Sequence, residues 1–309
     1  MPLGGFLALE RSGLYIMRWD TFYKSFLVIS LFFLASCSNL KARELPITTS
    51  TPQLPLNQAE TILPSPDGKW VAYIFGLFGN KDYKLSVVNF EDTIVWNINQ
   101  KNFGGESWLI PYRWSQDSRY LYFNIYAAID GYVPFYQGMG LQRLDVQNGQ
   151  VSEILPSGYP ETLETRTIYN WDLAQFSLSP EDNKLAYINR MENGVQLVIR
   201  ELNTNKENSI FFDKYTDAGK ILWSPNQDYL VFAASNGTNW SNTLGYIDLI
   251  ELDTLTTKSI LRDTNQVLVP LAWLSHRKIL VREYGGSYFH LDIISKELSP
   301  VPPSFRFPN

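Results

Sequence analysis

From Trp70 onward the chain alternates between short apolar runs and tight polar turns. The runs are "WVAYI" at Trp70–Ile74, "YLYF" at Tyr120–Phe123, "KLAYI" at Lys184–Ile188, "YLVF" at Tyr229–Phe232 and "ILV" at Ile279–Val281. Segments this short, bounded by turn residues, predict strands covered on both faces. Each follows a related turn: "PSPDGKWV" from Pro64, "WSQDSRYL" from Trp114, "LSPEDNKL" from Leu178, "WSPNQDYL" from Trp223 and a degenerate "WLSHRKIL" from Trp273. Pro66, Pro180 and Pro225 sit where a type I turn wants φ near about −65°, and Asp67, Asp117, Glu181 and Asn226 occupy the next corner.

The stretches behind these runs repeat as well. "GLQRLDVQNGQVSEIL", "GVQLVIRELNTNKENSIFF", "GYIDLIELDTLTTKSIL" and "GSYFHLDIISKELSPV" each lead an alternating strand through an Asp/Asn/Thr turn into a more polar strand. One unit is therefore four antiparallel strands: an inner strand, the turn, a buried strand, a third strand and a polar outer strand. After residue 58 no segment long enough for a helix sustains a 3.6-residue period.

The turns begin 50, 64, 45 and 50 residues apart, a spacing that predicts a solenoid or a propeller. The W-S-P-[DN]-x-x-x-L turn, with an L-D strand behind it, resembles the TolB-type WD-like β-propeller repeat. That repeat is in turn similar to the propeller domains of prolyl oligopeptidase-type proteases. The resemblance covers most of residues 59–309 and implies an all-β fold, a propeller of four-stranded antiparallel blades. Five turns predict five blades; the 64-residue interval after Trp114 holds an insertion or part of a sixth. A ring of this kind is expected to close by one terminus completing a blade begun at the other, through "QAETIL" or "ELSPVPPS".

Composition adds that 45% of residues are hydrophobic and 15% aromatic, which suits a large buried core rather than a disordered chain. Residues 1–36 read as a signal peptide. Arg18 and Lys24 precede the uncharged run Ser25–Ala35, too short to span a bilayer but suited to a secretory h-region, and Met17 reads as the start. Leu34-Ala35-Ser36-Cys37 resembles the lipobox of bacterial lipoproteins, which implies cleavage before Cys37, its lipidation, and anchoring at a membrane of the cell envelope. Cys37 is the one cysteine in the chain, so no disulfide is expected. Residues 37–57 are expected to form the lipidated cysteine and a flexible tether, and residues 58–309 a single propeller domain. The net charge of −5 becomes more negative once the basic leader is removed, so nucleic acid is not an expected partner.

Chemistry is sparse in this sequence. The G-x-S-x-G elbow of a hydrolase is missing, and His276 and His290 lie on different elements. No catalytic residue, metal or cofactor is expected. Alignment on the turns places Gln58, Trp108, Asp172, Asp217 and Val267 at one position, where inner strands begin near a channel mouth, with Arg113 and Lys220 further along. Trp108, Arg113, Asp172, Asp217 and Lys220 are thus candidates for a polar ligand site. The loop Asn124–Gly140 adds Tyr132, Phe135 and Tyr136, and "SNGTNWSNTLG" adds Trp240, as candidate partner-binding aromatics. The expected function is binding of a protein or another ligand by a lipid-anchored extracytoplasmic propeller. The alternative is a hydrolase or lyase acting on peptide or carbohydrate at the channel mouth.

Overall fold

The computed structural model describes residues 43–44, 62–75, 83–89, 94–99, 108–126, 140–156, 175–237, 244–264, 267–283 and 286–302. Cys37, the leader and most of the tether lie outside them. Strand β1 (Arg43–Glu44) comes first in the chain and precedes the blades. Blade I comprises β2 (Ile62–Pro64), β3 (Trp70–Phe75), β4 (Lys84–Asn89) and β5 (Val95–Asn99). Blade II comprises β6 (Trp108–Trp114), β7 (Tyr120–Tyr126), β8 (Gly140–Asp145) and β9 (Gln150–Leu155). Blade III is β10 (Gln175–Leu178), β11 (Lys184–Met191), β12 (Gly194–Glu201) and β13 (Glu207–Phe212). Blade IV is β14 (Asp217–Trp223), β15 (Tyr229–Ser235), β16 (Gly245–Glu251) and β17 (Thr256–Thr264). Blade V is β18 (Leu268–Trp273), β19 (Lys278–Glu283), β20 (Tyr288–Asp292) and β21 (Leu298–Pro300).

The described residues thus form five antiparallel sheets, each with four strands consecutive in sequence and the second sheet with one strand more: a five-bladed β-propeller. The expected exchange of a strand between the termini is not how these blades are made. Ile62–Pro64 begins the first blade, and Leu298–Pro300 is the outer strand of the last. The N-terminal segment instead adds β1 to the outer edge of blade II, with Arg43 opposite Val151 and Glu44 opposite Gln150. Added there, it pairs backbone groups that an edge strand would otherwise expose.

Strand β15 shows why the second strand of each blade is apolar throughout. Leu230, Phe232 and Ala234 pack toward blade III, in a cluster with Phe212, Tyr215 and Trp223. Val231, between them, packs toward blade V with Leu268, Ile279 and Val281. Side chains alternate across a strand, so a strand between two sheets buries both sets. Each fully buried Leu or Phe contributes roughly 1.5–3 kcal/mol. Outer strands such as β13 are mostly exposed, which matches their polar sequences.

The repeated turns share one bonding scheme. The Ser65, Ser115, Ser179 and Ser224 hydroxyls accept the N–H of the residue five positions on, at 2.8–3.0 Å. The residue three positions on is left-handed: Gly68 (φ 72°), Ser118 (60°), Asp182 (58°) and Gln227 (59°). In blade V the turn is one residue shorter and closes with Leu274 N–H on the Lys278 carbonyl at 2.8 Å. The second repeated turn, between third and fourth strands, places Gly149 (73°), Asn205 (57°), Leu255 (55°) and Lys296 (63°) in the same region.

Candidate functional site

The inner strands β6, β14 and β18 do not run regularly, whereas β10 does. Registers slip between Pro111 and Arg113, between Gly219 and Leu222, and between Pro270 and Ala272. All three irregularities fall two to three residues before the repeated turn, at one level of the ring. A bulge twists its strand and takes one residue out of the alternation between faces. In β14 that bulge contains Lys220, at φ 52°. Every other left-handed non-glycine residue among those described sits in one of the two repeated turns, so Lys220 alone adopts this conformation within a strand. Such a conformation costs a side-chain-bearing residue on the order of 1–2 kcal/mol.

Lys220 is half-buried, and no carboxylate among the described residues pairs with it. Burial without a counter-charge pulls its ammonium below the usual lysine range. Neighbouring strand β10, packed against β14, carries Gln175 at the same position, three residues before the last of its inner strand. Gln175 is 1% exposed, and neither its amide nitrogen nor its amide oxygen has a hydrogen-bond partner. It pairs across the sheet with Ile188, a member of the core between blades III and IV, so its side chain is directed toward blade IV. Leaving a buried amide unpaired costs roughly 1–3 kcal/mol.

The other described candidates are tied into the ring. Asp217 accepts from Arg190 at 2.7 Å and from the Ala218 N–H at 2.9 Å, and lies 8% exposed. Burial outweighs the pull of Arg190 and raises its pKa. Arg113 reaches from blade II to blade III, donating to the Ser179 carbonyl at 2.5 Å and pairing with Asp182. Trp108 packs half-buried on the core between blades I and II. Tyr132, Phe135, Tyr136, Asp172 and Trp240 lie outside the described residues. His276 is exposed in the shortened turn. Among the described residues no group of three or more His, Cys, Asp or Glu side chains is placed to hold a metal.

Gln175 escaped sequence reasoning because glutamine at a strand start carries no chemical signature. Its place in the turn alignment, level with Lys220, was the only available clue. A second missed cluster lies between blades III and IV. The Tyr215 hydroxyl donates to Asp248 at 2.5 Å, and Lys214 lies 4.4 Å above the Tyr215 ring and 3.7 Å from the carboxylate. Asp248 is fully buried with its other oxygen unpaired. Desolvation, then the hydrogen bond to Asp248, drive the Tyr215 pKa upward.

No family model matches the chain, and no curated protein sequence does. Among solved structures, hydrazine synthase of Kuenenia stuttgartiensis superposes with a TM-score of 0.50 at 12% identity, over 76% of this chain and 64% of that one. TolB from Acinetobacter baumannii gives 0.41 at 12% identity, over 77% and 52%. The propeller domain of the Trilobed protease from Pyrococcus furiosus gives 0.46 at 11%, over 79% and 70%. The chain spans just under two-thirds of the first of these and about half of the second. At such identities the likeness to hydrazine synthase speaks to the fold alone, and it agrees with the five antiparallel sheets. The repeated antiparallel sheets themselves make the chain a β-propeller protein.

Proposed function

We propose that the chain is a lipid-anchored, extracytoplasmic propeller that binds a protein or other ligand without catalysing a reaction. The observation that carries the binding reading is Lys220, a cation held in strained backbone on an inner strand with no counter-charge among the described residues. Strain and an uncompensated charge persist where the surrounding fold imposes them, and such residues cluster at ligand sites. A stiff ring that turns every inner strand toward one axis suits such a site.

The anchoring reading rests on the leader and on Cys37. Only five residues separate Cys37 from Arg43, a span of about 20 Å when fully extended. A lipid on Cys37 would therefore hold the outer edge of blade II close to the bilayer, a shorter leash than the whole polar stretch to residue 57 would give.

The experiment is affinity purification with crosslinking of the tagged protein from native membranes, beside Cys37→Ala and a fatty-acid label. The expected result is label on the wild type only, and a stoichiometric partner or ligand that is lost or reduced in Cys37→Ala. Absence of label would overturn the anchor. Label without any co-purifying protein or small molecule would overturn the binding reading.

A further inference from the structure

Two side chains on neighbouring inner strands lack what their chemistry requires. Gln175 buries an amide with both ends unsatisfied, and Lys220 presents an ammonium with no carboxylate among the described residues. The register between their strands is fixed, because the Trp223 indole donates to the Ser177 carbonyl at 2.9 Å. Each residue lies three positions before the end of its strand, so both stand at one level of the ring, on the inner edge between blades III and IV.

We infer that Gln175 and Lys220 form a binding site for a carboxylate that carries a hydrogen-bond donor beside it, as in an N-acylated amino acid. The carboxylate accepts from the Lys220 ammonium and from the Gln175 amide N–H, and the neighbouring N–H donates to the Gln175 amide oxygen. One ligand thereby supplies every missing partner. A single lysine matches a monoanion; a phosphate dianion would bring a second charge with nothing on these strands to meet it. Arg190 does not supply that charge, since it is engaged by Asp217, three residues before Lys220 and about 10 Å along the strand. Asp217, paired in this way, leaves the lysine's charge available to a ligand.

This assignment rests on the binding reading above and gives its site a ligand class. The test uses the purified full-length protein in detergent, with N-acetylglycine, its methyl ester and inorganic phosphate as probes, read by titration calorimetry and by the side-chain amide signal of ¹⁵N-labelled Gln175. Saturable one-to-one binding of N-acetylglycine is expected, with the Gln175 signal shifting and the ester about tenfold or more weaker. Lys220→Met and Gln175→Leu should each lower affinity about tenfold while the thermal transition persists, and Lys220→Arg should retain binding. Equal binding of acid and ester, tighter binding of phosphate, or unchanged affinity in both variants would overturn the assignment. So would a complete lack of binding, which would leave an ordinary buried water as the partner of Gln175. A membrane partner that still co-purifies with Lys220→Met and Gln175→Leu would sink this site and leave the binding reading standing.

Discussion

Trp223 of blade IV donates its indole N–H to the main-chain carbonyl of Ser177 in blade III, 46 residues earlier, at 2.9 Å. Trp114 makes the same bond to Leu63, from blade II back to blade I, also at 2.9 Å. The repeated tryptophan is thus a tie between blades. Where blade III has Leu178 in its place, Arg113 reaches forward from blade II instead. In blade V, Trp273 keeps the ring, but its indole nitrogen is buried without a partner.

This difference is measurable. Trp223→Phe loses a hydrogen bond between blades and shrinks a packed ring, whereas Trp273→Phe loses volume only. The first should cost about 1 kcal/mol more than the second in urea unfolding. Equal costs would show that the indole bond adds nothing.

Gly149 carries φ 73°, and a Cβ there would meet the Trp96 ring at 2.2 Å. Trp96 is 2% exposed and bonded through its indole nitrogen to the Val146 carbonyl, so it has nowhere to retreat. Gly149→Ala should destabilise by about 3 kcal/mol, combining overpacking with left-handed strain. A fully stable variant in thermal and urea unfolding would refute this packing between blades I and II.

Lys220→Gly relieves the strain at φ 52° and removes a half-buried charge. Its unfolding free energy should rise by about 1 kcal/mol while carboxylate binding disappears, a trade of function for stability. Gln227→Gly, at φ 59° in a turn, should gain stability with binding unchanged. A loss of stability in Lys220→Gly would mean that the lysine is there for structure.

Tyr215→Phe removes the hydrogen bond on which the buried Asp248 carboxylate depends. The cost should be about 2–3 kcal/mol. Adding Asp248→Leu should recover part of it, because the orphaned carboxylate is then gone. A double mutant no more stable than Tyr215→Phe would argue that packing alone accounts for the loss.

The Asp292 carboxyl is held down to about 2, first by the Ser295 N–H and then by the Ile294 N–H and Arg277. A pKa below the unfolded value stabilises the fold above about pH 4, and that gain is lost as pH falls through about 2. Asp292→Asn should therefore be less stable than wild type at neutral pH, with the gap closing toward pH 2. A gap independent of pH would exclude the charge as its source.

The sequence by itself determined the blades. A Ser hydroxyl capping the N–H five residues on, a proline at the turn corner and a short apolar run are local features. Each needs only a few neighbouring residues; the Ser cap occurs in four turns, the proline in three and the apolar run in all five blades, and together they specify the same strands that the structure shows. Tertiary structure decided what the polar residues of the inner strands do. Asp217 and Arg113 looked alike as channel candidates, yet one is held by Arg190, 27 residues back, and the other by Asp182, 69 residues on. Gln175 gained its interest only because the third blade directs it at the fourth, beside a bulge that no local pattern announced. A blade folds from contacts within about fifty residues, whereas the environment of an inner-strand side chain is made by the next blade in the ring.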